Sequence, residues 1–172
     1  MAIEVRNSKI GGKGIFTTDF LPKHSVILKV NFVREITKDQ PLDPTKGEQF
    51  DHCHWLPDGR QMLVSEPECY TNNCCSPNAF LYSFNRRYYV LGMRDIQEDE
   101  EITLCYDMFV ADGDSWECKC GAPNCRRYHK FDFFLLPKEE QLKYLPYLDP
   151  WFAEVHAAEI EQLLRSYVEY RK

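Results

Sequence analysis

Two kinds of segment are missing from this sequence: a long apolar run and a surplus of basic residues. The longest apolar stretches, such as residues 25–30, are interrupted by charge and fall short of the roughly 20 residues that a membrane helix needs. We therefore expect no membrane segment, and no signal peptide, because no basic stretch precedes an apolar one in residues 1–30. The 21 basic and 27 acidic residues give a net charge of −6. That charge disfavours direct nucleic-acid binding and suits a basic protein partner.

Cysteine is too sparse for a disulfide scaffold. The chain has eight cysteines in 172 residues, whereas disulfide-rich domains exceed about 8–10% cysteine. We therefore expect an intracellular, reducing location, where clustered cysteines more often bind metal than form disulfides. The sequence is 44% apolar and 14% aromatic, which is typical of a packed globular domain and excludes a disordered chain.

Short strand-like runs separated by glycine and proline dominate the first two thirds of the chain. We predict strands in residues 3–5, 15–18, 25–33 and 101–106, a mostly irregular segment at 36–61, and a hairpin in 79–95 that turns at residues 85–87. Many short strands at close spacing predict a mainly β fold built from several small sheets.

The pattern changes after Pro137. Asp149 followed by Pro150 is typical of a helix N-terminus. Apolar residues then recur at helical spacing, which predicts one amphipathic closing helix packed on the sheets; they are Phe152, Val155, Ile160, Leu163, Leu164 and Tyr167.

Three cysteines lie within a tight segment, residues 118–125 (CKCGAPNC), which we call the cysteine loop. Thiolates at this spacing can converge on one tetrahedral zinc ion, and Gly121 and Pro123 allow the backbone to curl. Zinc needs a fourth ligand. His129 is the nearest in sequence, whereas Cys74 or Cys75 would come from a distant segment.

Four segments, taken in order, resemble the motifs of the SET-domain protein lysine methyltransferases. Residues 12–16 (GKGIF) are similar to the GxG segment, and residues 72–78 (NNCCSPN) to N-H-x-C-x-P-N. Residues 93–106 resemble R-D-I followed by G-E-E-x-x-x-x-Y, and residues 116–125 resemble the post-SET C-x-C-x4-C. The resemblance implies several small curved sheets with a knot-like crossing, and C-terminal helices. It divides the chain into a SET domain (1–114), a post-SET zinc motif (115–131) and a C-terminal helical segment (132–172).

The resemblance also implies a function, an S-adenosylmethionine-dependent protein lysine N-methyltransferase acting on histone tails or another basic protein. Tyr106 takes the position of the catalytic tyrosine. The implied cofactor contacts are Lys13, Gly14, Ile15, Phe16, Asn72, Asn73, Tyr106 and Trp116. The implied substrate channel contains Tyr70 and Leu104, and alignment on Pro77-Asn78 adds Cys75 to Cys118, Cys120 and Cys125 as ligands of one structural zinc ion. The implied location is the nucleus in a eukaryote and the cytoplasm otherwise.

Several positions depart from the family pattern. Asn73 stands where the family has His, Cys105 where Asp is common, Asp99 where Gly is usual and Cys69 where Arg is common. The replaced His and Asp favour an alternative function, a SET-fold peptide-binding module that has lost turnover.

Leu104 also predicts how many methyl groups are added. It lies two residues before Tyr106, so on a strand both side chains would face one channel. The family often has an aromatic residue here, and leucine leaves room for di- or trimethylation. The other interpretation is a core leucine turned away from the channel.

Overall fold

The computed structural model describes residues 2–109 and 111–170, except for the side chains of residues 111–114, 129 and 168–170. The strands are β1 Ile3–Asn7, β2 Lys13–Thr17, β3 Val26–Val30, β4 Phe32–Ile36, β5 Cys53–Trp55, β6 Gln61–Val64, β7 Asn72–Asn73, β8 Ala79–Phe84, β9 Arg87–Gly92, β10 Glu101–Leu104, β11 Ala111–Glu117 and β12 Tyr128–Asp132. The helices are α1 Lys138–Tyr144, α2 Pro150–Val155 and α3 Ala157–Tyr170.

Within this described part of the chain, the strands form four small sheets. Their orders are β1-β2-β10-β7, β3-β9-β8, β4-β6-β5 and β11-β12. This arrangement confirms the prediction of a mainly β fold of small sheets with C-terminal helices. In the first sheet β10 pairs antiparallel with β2 and parallel with β7, so strands far apart in sequence become neighbours.

A core of branched aliphatic residues fills the space between the first two sheets. Ile15, Ile96 and Ile102 are fully buried, and Val90 is nearly so. Three successive residues of β10 are buried, Ile102, Thr103 and Leu104, because the strand is covered on both faces. The buried side chain of Asn78 adds polar bonds: its Nδ2 donates to Glu101 O (2.7 Å), and its Oδ1 accepts from Thr103 N (2.9 Å).

The predicted hairpin is present and turns at two residues. Asn85 and Arg86 both have left-handed backbone conformations, with φ of 49° and 59°. Such a pair matches the twist of a two-residue hairpin between β8 and β9. The predicted strand over residues 25–33 is instead two strands, β3 and β4, which separate at Asn31 and enter different sheets. The Asn31 side chain there donates to Glu68 Oε1 (3.0 Å).

The prediction of a single closing helix is only partly right. Asp149 caps α2 by accepting a hydrogen bond from Trp151 N, as expected from the Asp-Pro pair. The helix then ends at His156 (φ −103°, ψ 27°), and α3 begins as a separate helix. Phe152 and Leu163 are buried in a second core, whereas Val155 and Leu164 are 56% and 42% exposed. A break in the helix rotates the apolar stripe, so only part of it faces the sheets.

Candidate active site and metal centre

The three motif segments of the SET-like region meet in the first sheet. β10 places Glu101 opposite Phe16 and Ile102 opposite Ile15, while on its other edge Leu104 lies beside Asn73 of β7. The sheet therefore brings the glycine segment, the double-asparagine segment and the segment ending at Tyr106 to one place.

A cleft of about 1540 Å³ opens beside this junction. Most of the predicted site residues line it; they are Lys13, Tyr70, Asn72, Asn73, Leu104, Tyr106, Trp116 and Cys118. Gly14, Ile15 and Phe16 do not line it. Ile15 is fully buried in the core, and the Phe16 ring lies under the guanidinium of Arg6 at 4.5 Å. Their cofactor contacts therefore stay a prediction that would rest on backbone groups.

Tyr106 begins a short 3-10 helix, residues Tyr106–Met108, directly after β10. Its hydroxyl donates to Thr71 O (2.7 Å), and its backbone N donates to Asn73 Oδ1 (2.9 Å). Burial raises the pKa of Tyr106 well above its usual value, so the hydroxyl stays protonated at neutral pH. Because the strand ends at Leu104, strand alternation does not extend to Tyr106. Both residues nevertheless line the same cleft, with Leu104 only 5% exposed.

Aromatic rings continue the wall of the cleft on either side of Tyr106. Its ring centroid lies 5.6 Å from that of Phe109 and 5.8 Å from that of Phe131, and Phe131 lies 6.1 Å from Trp116. Sequence reasoning missed Phe109 and Phe131. The only available signal was the density of aromatic residues near the motifs, since Phe131 reaches the cleft through the β11–β12 pairing.

Lys13 and Tyr70 line the same cleft as Tyr106. The Lys13 Nζ lies 4.7 Å from the centroid of the Tyr70 ring and donates to its hydroxyl at 3.3 Å. The Tyr70 hydroxyl in turn donates to the Glu66 carboxylate, and this hydrogen bond raises the pKa of Tyr70. Asn72 is fixed between Lys13 O (2.9 Å) and Glu101 Oε1 (2.7 Å). The cleft therefore carries a cation, the Lys13 ammonium, and an acceptor, the Glu66 carboxylate.

Asn73, which replaces the family's His, forms hydrogen bonds through both the oxygen and the nitrogen of its side-chain amide. Its Oδ1 accepts the Tyr106 N–H, and its Nδ2 donates to the sulfur of Cys118 at 3.8 Å. An amide supplies one acceptor and two donors. Asn73 thus connects the tyrosine segment to the cysteine loop.

Four cysteine sulfurs converge next to the cleft, which Cys118 lines. The Sγ atoms of Cys75, Cys118, Cys120 and Cys125 all lie within 4.8 Å of one another, and those of Cys75 and Cys118 are 3.8 Å apart. A tetrahedral ion with Zn–S bonds of about 2.3 Å requires S–S separations of about 3.8 Å, so this donor set fits zinc. Burial opposes ionisation of Cys120, but backbone hydrogen bonds from Cys75 and Ala122 are among the contacts that lower its thiol pKa to about 7.

The structure does not draw Cys74 into this set. Cys74 is buried beside the cluster, and burial raises the pKa of its thiol to about 12. The other alternative ligand, the side chain of His129, lies outside what the structure describes. Cys75 is therefore the fourth sulfur that the fold brings to the cysteine loop.

The architecture agrees with comparisons to known proteins. The fold is similar to that in a crystal structure of KRYPTONITE in complex with mCHG DNA and SAH, with a TM-score of 0.56. The match covers 73% of this chain and 28% of that chain, and its 20% sequence identity supports similarity of fold alone. The family profile described as SET domain matches residues 12–107, more than half of the chain. The chain belongs to the SET domain family.

Curated relatives share this region. The chain is 26% identical over 146 residues to a variant-silencing SET domain-containing protein of Plasmodium falciparum (isolate 3D7), covering 74% of this chain and 6% of that protein. It is 36% identical over 66 residues to an H3 lysine-4 specific histone-lysine N-methyltransferase of Saccharomyces cerevisiae, covering 34% of this chain and 6% of that protein. An H3 lysine-36 specific histone-lysine N-methyltransferase of Debaryomyces hansenii is 33% identical to this chain over 63 residues. This match covers 34% of this chain and 9% of that protein. The chain spans less than a tenth of the length of each.

Among the described residues, no helix has both the length and the apolar character needed to cross a membrane.

Proposed function

We propose that this chain transfers a methyl group from S-adenosylmethionine to the side-chain amine of a lysine in a basic protein segment. The observation that carries the proposal is the hydroxyl of Tyr106, a residue that lines the cleft where β2, β7 and β10 bring the three motif segments together. S-adenosylmethionine supplies the reactive methyl group when bound. The cleft exceeds the 300–1,000 Å³ of ordinary ligand pockets, so it has room for this cofactor and a lysine side chain together.

The cofactor would be held by residues on the walls of the cleft. The Lys13 ammonium offers a positive charge, and the amides of Asn72 and Asn73 offer backbone-like donors and acceptors. Trp116 is 40% exposed and lines the cleft, so its indole is available to cover an aromatic base. Contacts with the backbone of Gly14, Ile15 and Phe16 belong to the same proposal.

The target lysine must lose a proton before it can react. A free lysine has a pKa of about 10.4, and removal from water lowers it because the charged form is disfavoured. The rings of Tyr106, Phe109 and Phe131 would provide that apolar surrounding. The protonated Tyr106 hydroxyl then orients the amine by a hydrogen bond, and alignment of this kind supplies a large part of a rate enhancement.

A basic segment suits the rim of the cleft. Asp51 lines it, and the charge of Asp51 adds to the effect of burial in raising the pKa of Tyr106. Glu66 and Glu117 line the same cleft. The curated relatives named above as histone-lysine methyltransferases make a histone tail the first candidate substrate. A histone substrate would place the chain in the nucleus of a eukaryote.

Incubation with labelled S-adenosylmethionine and a panel of basic proteins tests the proposal, with the labelled residue mapped by mass spectrometry. We expect labelled lysine, and we expect Tyr106→Phe to lower kcat by about 10²–10³-fold, as for removal of one oriented donor in a transition state. Cofactor affinity measured by calorimetry should change little.

Tyr128→Phe is the matched control, because Tyr128 is 71% exposed and makes no contact in the cleft. Cofactor binding without transfer to any protein of the panel would contradict the enzyme and favour a SET-fold peptide-binding module.

A further inference from the structure

A buried ion pair joins the cysteine loop to the residue that follows Tyr106. The Arg126 Nη2 lies 2.6 Å from Asp107 Oδ2; the Asp107 side chain is fully buried and that of Arg126 is 17% exposed. Asp107 also accepts a hydrogen bond from Asp132 N (3.3 Å). A buried carboxylate is costly without such partners, so removing the guanidinium takes away the positive charge that offsets this cost.

Arg126 also adjoins the cysteine cluster. It directly follows Cys125, one of the four cysteines whose sulfurs converge. Arg126 is therefore the chain neighbour of one candidate zinc ligand, and its side chain pairs with the carboxylate next to the candidate catalytic tyrosine.

We propose that Arg126 is a positioning residue that couples the order of the cysteine cluster to the placement of Tyr106 through Asp107. The proposal rests on the methyltransferase function proposed above. Groups that hold a metal ligand from outside commonly change metal affinity or activity by 10–100-fold when removed. A small displacement of a positioned group costs turnover far more than it costs binding.

Cys105 provides a way to rebuild the pair. Its buried sulfur lies 3.3 Å from Asp107 Oδ2 and 3.9 Å from Arg126 Nη2. A carboxylate at position 105 would therefore reach the same guanidinium. The family commonly has Asp where this chain has Cys105. In this chain the carboxylate that pairs with Arg126 belongs instead to Asp107, two residues further along.

The first experiment moves the carboxylate. Asp107→Asn should lower kcat by about 10-fold or more while the KM for peptide and the Kd for cofactor change less than about 2-fold. Combining it with Cys105→Asp should restore kcat to within about 3-fold of wild type. Unchanged kcat in Asp107→Asn, or no recovery in the double variant, would overturn the proposal. If Asp107→Asn does not fold, Arg126→Lys is measured instead, with Arg127→Lys as its exposed neighbour control.

The second experiment needs no turnover. Zinc transfer to a coloured chelator should be about 10-fold faster from Arg126→Lys than from wild type, and unchanged in Arg127→Lys. Amide hydrogen exchange over residues 105–109 should rise in the wild-type chain when zinc is removed. In Asp107→Asn it should already be fast and should rise no further.

These two readouts separate the proposals. A wild-type chain that methylates nothing refutes the proposed function, while zinc release and exchange still decide the coupling. The amide exchange rate of residues 105–109 in the wild-type chain is compared before and after zinc removal, with residues 26–30 as the internal reference. An unchanged rate would overturn the coupling, whether or not the chain is active.

Discussion

The sheet wall of the cleft and its cysteine-loop wall are held by different forces. β2 and β10 are fixed by strand pairing and by an apolar core that includes Ile15 and Ile102. The cysteine loop, residues 118–125, has few buried residues and two short backbone bonds, Cys118 N to Arg127 O (2.6 Å) and Cys125 N to Ala122 O (2.9 Å). Apolar burial and strand ladders stabilise a wall without any ligand, whereas a loop of this kind depends on its thiols and on polar contacts from its neighbours.

The C-terminal segment supports the weaker wall. The Tyr144 hydroxyl donates to Cys75 O (3.0 Å), and Asn124 Nδ2 donates to Cys75 O (3.0 Å) and to Glu140 Oε1 (3.0 Å). α1 therefore holds the backbone of a candidate zinc ligand from outside the region that the SET profile matches. The comparison predicts that metal removal disorders one wall and leaves the other folded.

The largest expected effect is loss of the metal. We expect one zinc per wild-type chain and much weaker binding in Cys118→Ser, together with loss of methyl transfer. Structural zinc sites in small peptides supply about 10–16 kcal/mol of apparent binding free energy, which is enough to order a loop. Elemental analysis and a transfer assay measure both outcomes.

Cys53→Ser is the matched control for zinc content, because Cys53 lies on β5 outside the cluster; since it lines the cleft, methyl transfer is not compared in this variant. Hydrogen exchange sharpens the comparison: in Cys118→Ser the β8–β9 hairpin should keep its protection while the cysteine loop loses its own. Zinc-free wild-type protein with full activity would contradict the dependence of this wall on metal.

The next effect breaks the sheet wall instead. Asn78→Ala leaves Thr103 N and Glu101 O without their buried partner, at a cost of about 1–3 kcal/mol for each unsatisfied group. We expect denaturant unfolding to show a loss of about 3 kcal/mol, with zinc still bound. Asn7→Ala, at an exposed position at the end of β1, should change stability by less than about 0.5 kcal/mol. Equal stability of the two variants would show that Asn78 does not hold this wall.

The same division of forces explains what the sequence could predict. Local signals located the hairpin at residues 85–87 and the Asp149 cap, because turn and capping preferences act over a few residues. The family pattern selected Cys75 rather than Cys74, and the fold brings Cys75 to the loop. The Arg126–Asp107 pair had no signal, since it depends on tertiary packing that places residues 107 and 126 together. The helix break at His156 was missed because apolar spacing continues through it.

His54 gives a smaller effect that depends on pH. Its ring stacks with Phe32 at 6.1 Å and meets Tyr88 edge-on at 5.1 Å, and burial lowers its pKa from 6.5 to about 4. Below pH 6.5 the unfolded chain takes up a proton that the folded chain does not, so stability falls as the pH drops from 6.5 towards 4. Between pH 7 and pH 5 the loss from this group is about 2 kcal/mol.

His54→Phe should keep the ring contacts and remove that part of the pH dependence. Denaturant unfolding of both chains at pH 7 and pH 5 measures the difference, and carboxylates common to both chains cancel. An identical pH dependence would mean that His54 is protonated as easily in the folded chain as in the unfolded chain.

The smallest expected effect concerns the number of methyl groups, and it tests which wall controls the product. Leu104 ends β10 beside Asn73 and lines the cleft with Tyr106. A leucine offers no hydroxyl to hold a methylated amine, so we expect the wild-type chain to form di- or trimethyl-lysine. Leu104→Tyr adds a hydroxyl that can hydrogen bond to the amine and restrict its rotation. A net hydrogen bond of about 1 kcal/mol is enough to shift a product ratio several-fold towards monomethyl-lysine.

Leu104→Phe is the control for bulk, because it adds a ring of similar size without the hydroxyl. It should share any packing cost at this buried position and keep the higher methylation states. Mass spectrometry of completed reactions measures the distribution. If both variants stop at monomethyl-lysine, volume on the sheet wall sets the product; if neither does, Leu104 acts as a core residue, and the sheet wall supports the site without shaping its product.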